Sequence, residues 1–280
     1  MRKDCYYCHC KTKDLLISKF AANNDQAEEF SNAVENFMQH YWHLSNPLIA
    51  THIQRIAKEI FKEVDLYHNE KKSANNLLLK NYNYWQQLVQ QSKNPFETAA
   101  KLAATGNIID YGAHAVPKEI EQFIVNKMNE TLAIDNICEL NEAVKKAQSI
   151  LYLGDNAGEI VFDKLFIETM GHNNITFAVR EDPVINDVTM KEAKSVGINK
   201  ICKVISNGSD APSTLLEFCS EKFLKTYKNA DIIISKGQGN YEGLMDVTDK
   251  TIFFLLMAKC DPIAEMLGVE KGKMVIKKSN

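Results

Sequence analysis

Apolar positions in the first half of the chain recur at helical spacing. In "AEEFSNAVENFMQHYW" they fall at Ala27, Phe30, Ala33, Val34, Phe37, Met38 and Tyr41, steps of three and four that lay one stripe along a helix. "NPLIATHIQRIAKEIF" continues the pattern through Ile49, Ile53, Ile56, Ala57 and Ile60, with Pro47 suited to a first helical turn. "DLYHNEKKSANNLLLKNYNYWQQLVQQ", "NPFETAAKLAATGNIID", "PKEIEQFIVNKMNETL" and "ELNEAVKKAQ" predict further helices, with Gly106 as a C-cap.

Near residue 145 the pattern changes. The runs "SILYL", "ITFAVR", "ICKVIS", "ADIIIS", "TIFFLLMA" and "KMVIK" are apolar on consecutive positions, as strands covered on both faces are. Helical stretches such as "AGEIVFDKLFIETMG" and "PSTLLEFCSEKFLKTY" separate them. The expected fold is α/β: a helical N-terminal domain over 1–145, then a Rossmann-like three-layer domain over 146–280 with a mostly parallel sheet. Ligands of such sheets bind beyond the carboxyl ends of the strands.

Polar residues cluster after those strands. Gly154-Asp155-Asn156 follows the first, Asn186-Asp187 lies after the second, Asn207-Gly208-Ser209-Asp210 after the third, and Lys236-Gly237-Gln238-Gly239-Asn240-Tyr241-Glu242 after the fourth. Any one of these is an ordinary turn; together they line one edge. The first turn has no GxGxxG, and an acid at Asp155 would repel a pyrophosphate. An Asp-Asn pair instead offers hard oxygen donors suited to Mg²⁺, Mn²⁺ or a similar divalent ion. Asp187 supplies a third oxygen, and a cation then sits between the protein carboxylates and an anionic substrate. Glu159 suits the dipole at a helix N-terminus. Lys236 is a point charge for phosphate, Gly237 and Gly239 offer amides that can turn inward as a nest, and Asn240 and Glu242 can bond sugar hydroxyls.

Composition narrows the classes. The 280 residues are 45% hydrophobic and 25% charged, with a formal net charge of -3. That is ordinary for a soluble protein and carries no basic footprint for nucleic acid. No apolar run reaches the ~18–20 residues of a membrane span, and the polar N-terminus has no signal-peptide core. A cytoplasmic protein is expected, with no nucleic-acid or membrane partner. Of seven cysteines, Cys5, Cys8 and Cys10 cluster beside His9. They read as reduced thiols rather than a zinc site, because a closed site usually draws two separated ligand pairs.

"LGDNAGEIVFDK", "VINDVT", "SNGSDAPSTLL", "SKGQGNYE" and "FFLLMAKC", with "TGNIIDYGA" upstream, resemble the damage-control phosphatase family, in its stand-alone prokaryotic branch. The resemblance runs from about Asn94 to the end, and it includes the cysteine-bearing N-terminus. It implies a helical domain before an α/β domain, and a divalent-metal phosphatase (Mn²⁺, Co²⁺, Ni²⁺ or Mg²⁺) acting on sugar phosphates or damaged phosphometabolites. Carried over, Asp155, Asn156 and Asp187 match metal ligands, and Lys236 matches the residue that holds phosphate. Asn107 and Asp110 of "GNIID" face the cleft from the helical domain. Ser213 stands where a glycine is expected. The expected mechanism is direct attack of metal-activated water, with Asp155 or Glu159 as proton acceptor. The alternatives are an S-adenosylmethionine-dependent carboxyl methyltransferase and a non-catalytic phosphometabolite-binding protein.

Overall fold

The computed structural model describes residues 2–106 and 120–279. The N-terminal helices are α1 (Lys3–Phe20), α2 (Asn24–Tyr41), α3 (Asn46–Phe61), α4 (His68–Lys80), α5 (Tyr82–Gln90), α6 (Pro95–Gly106) and α7 (Ile120–Met128). Then follow β1 (Ile134–Asp135), α8 (Ile137–Lys146), β2 (Ile150–Leu153), α9 (Glu159–Met170), β3 (Ile175–Val179), α10 (Met190–Val196) and β4 (Lys203–Ser206). The chain closes with α11 (Glu221–Asn229), β5 (Ile232–Lys236), α12 (Gly237–Leu244), β6 (Thr251–Met257), α13 (Asp261–Leu267) and β7 (Met274–Lys278).

All six apolar runs form strands. They join β1 in a seven-stranded sheet of order β1-β7-β6-β5-β2-β3-β4. The five strands from β6 to β4 are mutually parallel, and β7 runs antiparallel to β6. The fold is thus α/β with a mostly parallel sheet, as expected. Every residue of β2, β3 and β5 is buried, which is why those runs are apolar on both faces. The chain leaves β2 towards β3 and β4, then returns to the other side of β2 with β5. The order therefore reverses between β2 and β5, and that crevice is the binding position of doubly wound sheets.

Packing shows how the helices are shared out. One face of the sheet, with α8, α9 and α10, forms a single core that also takes Leu78 of α4, Trp85 and Val89 of α5, and the alanines of α6. The other face is covered by α11, α12 and α13. Only α1, α2 and α3, with Leu66 and Tyr67, keep a separate core. The apolar continuity therefore runs across residue 145: α4 to α7 belong with the sheet.

The small residues of α6 explain its position. Ala99, Ala100, Ala103, Ala104 and Gly106 are all buried, and a Cβ at Gly106 would lie 3.0 Å from both the Glu159 Cβ and the Phe162 ring. Gly106 is the last described residue of α6, and it works through close approach. It brings the end of α6 onto the first turn of α9. Asn107 and Asp110, which follow, lie outside the described residues.

Phe162 is fully buried and meets Trp85 edge-on, with ring centroids 5.2 Å apart. Phe162→Ala is expected to cost about 3–5 kcal/mol, read as a lower midpoint in urea unfolding with an unchanged slope.

Candidate active site

The site begins where β2 ends. A Cβ at Gly154 would meet the Phe177 ring at 2.6 Å, so a residue without a side chain lets the strand turn there. Asp155 and Asn156 follow, each about 6% exposed. Asn156 Nδ2 donates to Asp155 Oδ2 at 2.6 Å. The loop after β3 is sewn to this turn by backbone bonds. Val188 N–H donates to Asp155 O at 2.8 Å and Ala157 N–H to Asn186 O at 2.9 Å, and Asn156 and Asp187 form an isolated antiparallel bridge. Asp187 is thereby fixed beside the Asp-Asn pair.

Arg180, at the carboxyl end of β3 and 2% exposed, locks the arrangement. Its Nε donates to Asp187 Oδ2 at 2.7 Å, and its two Nη groups reach Thr214 Oγ1 at 3.3 Å and Asn240 Oδ1 at 3.1 Å. Asp155 Oδ1 lies 3.8 Å from the same guanidinium. Burial drives the Asp155 carboxyl well above its ordinary range, and the charges of Asp187 and Glu159 add to this; Arg180 and Lys259 oppose it. Acids gathered in a dry position with hard oxygen donors fit a divalent cation. Asp155, Asn156 and Asp187 are the residues that could hold one.

Beneath this turn lies a buried ion network. Lys236, the last residue of β5, donates to Glu159 Oε1 and to Asp163 Oδ1, both at 2.6 Å. All three side chains are 0% exposed. Tyr152 Oη donates to the same Asp163 oxygen at 2.7 Å. Burial alone would lower the Lys236 ammonium, but Asp163 and Glu159 together raise it. Burial lifts Asp163 to about 7, with Lys236 pulling the other way. Next in the chain, Gly237 has φ +78°, and a Cβ there would stand 1.8 Å from Asp155 Oδ2. Only glycine leaves room for that carboxylate.

Against known proteins, the domain described as the damage-control phosphatase ARMT1-like domain matches residues 1–275. The chain belongs to that family. An uncharacterized protein of Methanocaldococcus jannaschii is 36% identical across 96% of this chain and 93% of its own. A damage-control phosphatase of Pyrococcus horikoshii is 41% identical over 65% of each chain, and one of Archaeoglobus fulgidus 35% over 83% of this chain and 82% of its own. The crystal structure of a DUF89 family protein from Pyrococcus horikoshii superposes with a TM-score of 0.90 at 29% identity, covering 100% of this chain and 99% of that one.

Within this family frame, the structure brings Asp155, Asn156 and Asp187 together and sorts the other expected residues differently. Lys236 is not presented to an open cleft as a phosphate seat, because its amine is held between two carboxylates inside the protein. Glu159 is the Lys236 partner and fully buried. Gly237 and Gly239 are not a loop nest: they sit in α12, where a Cβ at Gly239 would strike Pro212 O at 2.1 Å. Asn240 is fully buried, and its amide is occupied by Arg180, Thr214 Oγ1 and the Gly154 and Lys236 carbonyls, leaving nothing for a sugar. Glu242 accepts from Asn46 of α3 at 3.0 Å and from Gln238 at 3.2 Å. Asp210 is turned to Arg55 of α3, with bonds of 2.8 and 2.6 Å. Asp110 and Asn107 are not among the described residues.

Three contributors were not among the residues that the sequence singled out for the site. Arg180 and Lys259 each stand at or just past the carboxyl end of an apolar strand, "TFAVR" and "FFLLMAK", and a cation in that position is a signal that was available. Asp163, one helical turn past Glu159, carries no signal until α9 packs on β5. The thiols of Cys5, Cys8 and Cys10 lie on α1, and among the described residues no disulfide is formed.

Lys236→Met strands two buried carboxylates and is expected to cost about 3–5 kcal/mol, measured by urea unfolding at pH 7. The Asp163 value of about 7 exceeds its ordinary 3.8, so the native state binds the extra proton. Stability through this group is full below about 4 and falls as pH rises towards 7. Unfolding curves across that window are expected to show wild type losing ground relative to Asp163→Asn.

Proposed function

We propose that this protein is a divalent-metal-dependent phosphatase of small phosphorylated metabolites. Sugar phosphates or damaged phosphometabolites are its substrate class, and water attacks phosphorus directly. The observation that carries the reading is the oxygen cluster of Asp155, Asn156 and Asp187, buried and stitched across two strand tips at the switch point of the sheet. Two of the relatives bear the name damage-control phosphatase, which supports the same reaction class. Mn²⁺, Co²⁺, Ni²⁺ and Mg²⁺ are the candidate ions, all compatible with such a donor set.

A divalent ion bound there supplies positive charge for the phosphoryl group and acidifies a water molecule. The chain's own groups do the rest. Arg180 holds Asp187 in one orientation. Lys259 is half-buried, its backbone N–H is tied to Gln238 Oε1 at 3.2 Å, and its charge acts on Asp155. Lys259 is the cation assigned to a substrate phosphate oxygen. Asp155 is the carboxylate assigned to take the proton from the attacking water. Glu159, gripped by Lys236, stands behind Asp155 as a further buried acid. Asn186 offers a buried Nδ2 donor without a partner, a group that a ligand oxygen would satisfy. Asn107 and Asp110 are assigned to the sugar side of the cleft. Among the described residues no helix is long and apolar enough to cross a membrane.

Asp155→Ala is expected to lose Mn²⁺ binding in calorimetry and to lower turnover of an aryl phosphate about 10²–10³-fold, with an unchanged circular dichroism spectrum. A metal-free, active Asp155→Ala enzyme would overturn the assignment. Lys259→Met, losing a charge-assisted contact, is expected to lower kcat/KM about 10–100-fold while metal affinity stays close to wild type.

A further inference from the structure

Among the described residues, two that are not glycine have a positive φ: Lys62, which ends α3, and Ile185, at +44°. For Lys62 this is a helix C-cap. For a β-branched residue such as Ile185 the conformation is sterically costly, so something must hold it. The Ile185 side chain packs against the separate core of α1, α2 and α3, which holds Phe61, Leu66 and Tyr67. Two residues later comes Asp187, whose N–H closes a turn onto Val184 O at 3.0 Å.

The same helical layer touches the other ligand-bearing segments. Asn75 of α4 is 3% exposed, and its Oδ1 accepts the Gly158 N–H at 2.7 Å. Gly158 is the N-cap of α9, with φ 86°, and lies two residues past Asn156. Lys71, one turn earlier on α4 and 1% exposed, pairs with Asp65 at 2.9 Å and with Glu192 at 3.4 Å. Glu192 closes the capping box of α10 by accepting from Thr189 N–H at 2.9 Å, and Thr189 lies two residues past Asp187. The Asp187 segment is thus braced on both sides, and the Asp155–Asn156 turn is braced from behind. These three braces come from α1 to α4 or from the chain joining them, and they add to Arg180 and the backbone bonds between the two loops.

We infer that the N-terminal helices are a positioning layer for the cation site, with Ile185 and Asn75 setting the separation between Asp187 and the Asp155–Asn156 pair. This rests on the metal reading above. Neither residue donates to the metal; each acts through the backbone of a ligand segment. Loss of a supporting partner typically weakens metal affinity 10–100-fold.

Ile185→Gly is the discriminating variant, because glycine adopts the positive φ without strain. The backbone shape stays accessible and only the anchor is lost. For the full-length protein, calorimetry with Mn²⁺ is expected to show affinity weakened about 10–100-fold and a metal-free Tm close to wild type. Activity is expected to need more Mn²⁺ while kcat at saturating metal is retained. Ile185→Val, which keeps a branched anchor, is expected to restore most of the affinity. Asn75→Ala should weaken Mn²⁺ in the same direction, and it decides the matter if the glycine variant does not fold. If both variants bind Mn²⁺ within twofold of wild type, the positioning layer is refuted and the metal site stands. If wild type itself binds no Mn²⁺, the metal site falls and this inference with it.

Discussion

The Lys236 ammonium, held between Glu159 and Asp163, is the contact on which the geometry of the site depends. It ties the end of β5 to the first two turns of α9, across the crevice where the strand order reverses. A buried ion pair seldom adds net stability over an apolar packing of the same volume. What it specifies here is position. Glu159 and Asp163 both face one amine, so α9 can neither slide nor rotate without stranding a charge. Gly237 then carries the backbone past Asp155 at a distance that no side chain permits. The acid at the strand tip therefore stands on a second layer of charge that is fully internal.

That layering resolves the oddity of an acid and an amide at a turn where an anion is expected. Burial is the first cause that raises the Asp155 carboxyl, the charges of Asp187 and Glu159 add to it, and Arg180 and Lys259 oppose them. Acids beside an amide oxygen are a donor set that would suit a divalent cation. Arg180 keeps the two aspartates from relaxing apart, because it bonds Asp187 and stands near Asp155 while its remaining donors are tied to Thr214 and Asn240.

The helical half of the protein is more than a cover. The alanines and Gly106 of α6 let it lie against α9 at backbone distance, so α4 to α7 and the sheet share one core. Smaller polar struts, Asn75 to Gly158 and Lys71 to Glu192, then reach the loops that carry the acids. Gly106, the last described residue of α6, lies against Glu159 and Phe162 in the first turn of α9.

Much of this was legible in the residues. Consecutive apolar runs predicted six strands because a parallel strand covered on both faces has no polar side to show. Helical stripes marked α2, α3 and the later helices for the same reason of one-sided burial. Asp155, Asn156 and Asp187 could be picked out because their loops follow such strands, and that rule needs only order along the chain. Lys236 could not be read correctly by that rule. A lysine at a strand tip looks alike whether its amine points outward to an anion or inward to carboxylates. Which of these holds depends on where Glu159 and Asp163 lie, and they are 77 and 73 residues away. Likewise, "KGQGN" reads as a loop by composition, yet it forms a helix because Asn240 finds buried partners in Arg180 and Thr214. Local pattern and chain order were enough to determine the elements, their layering and the acidic edge. Orientation of the charged side chains, and the sharing of one core across residue 145, was decided only by tertiary packing, since both depend on partners distant in sequence.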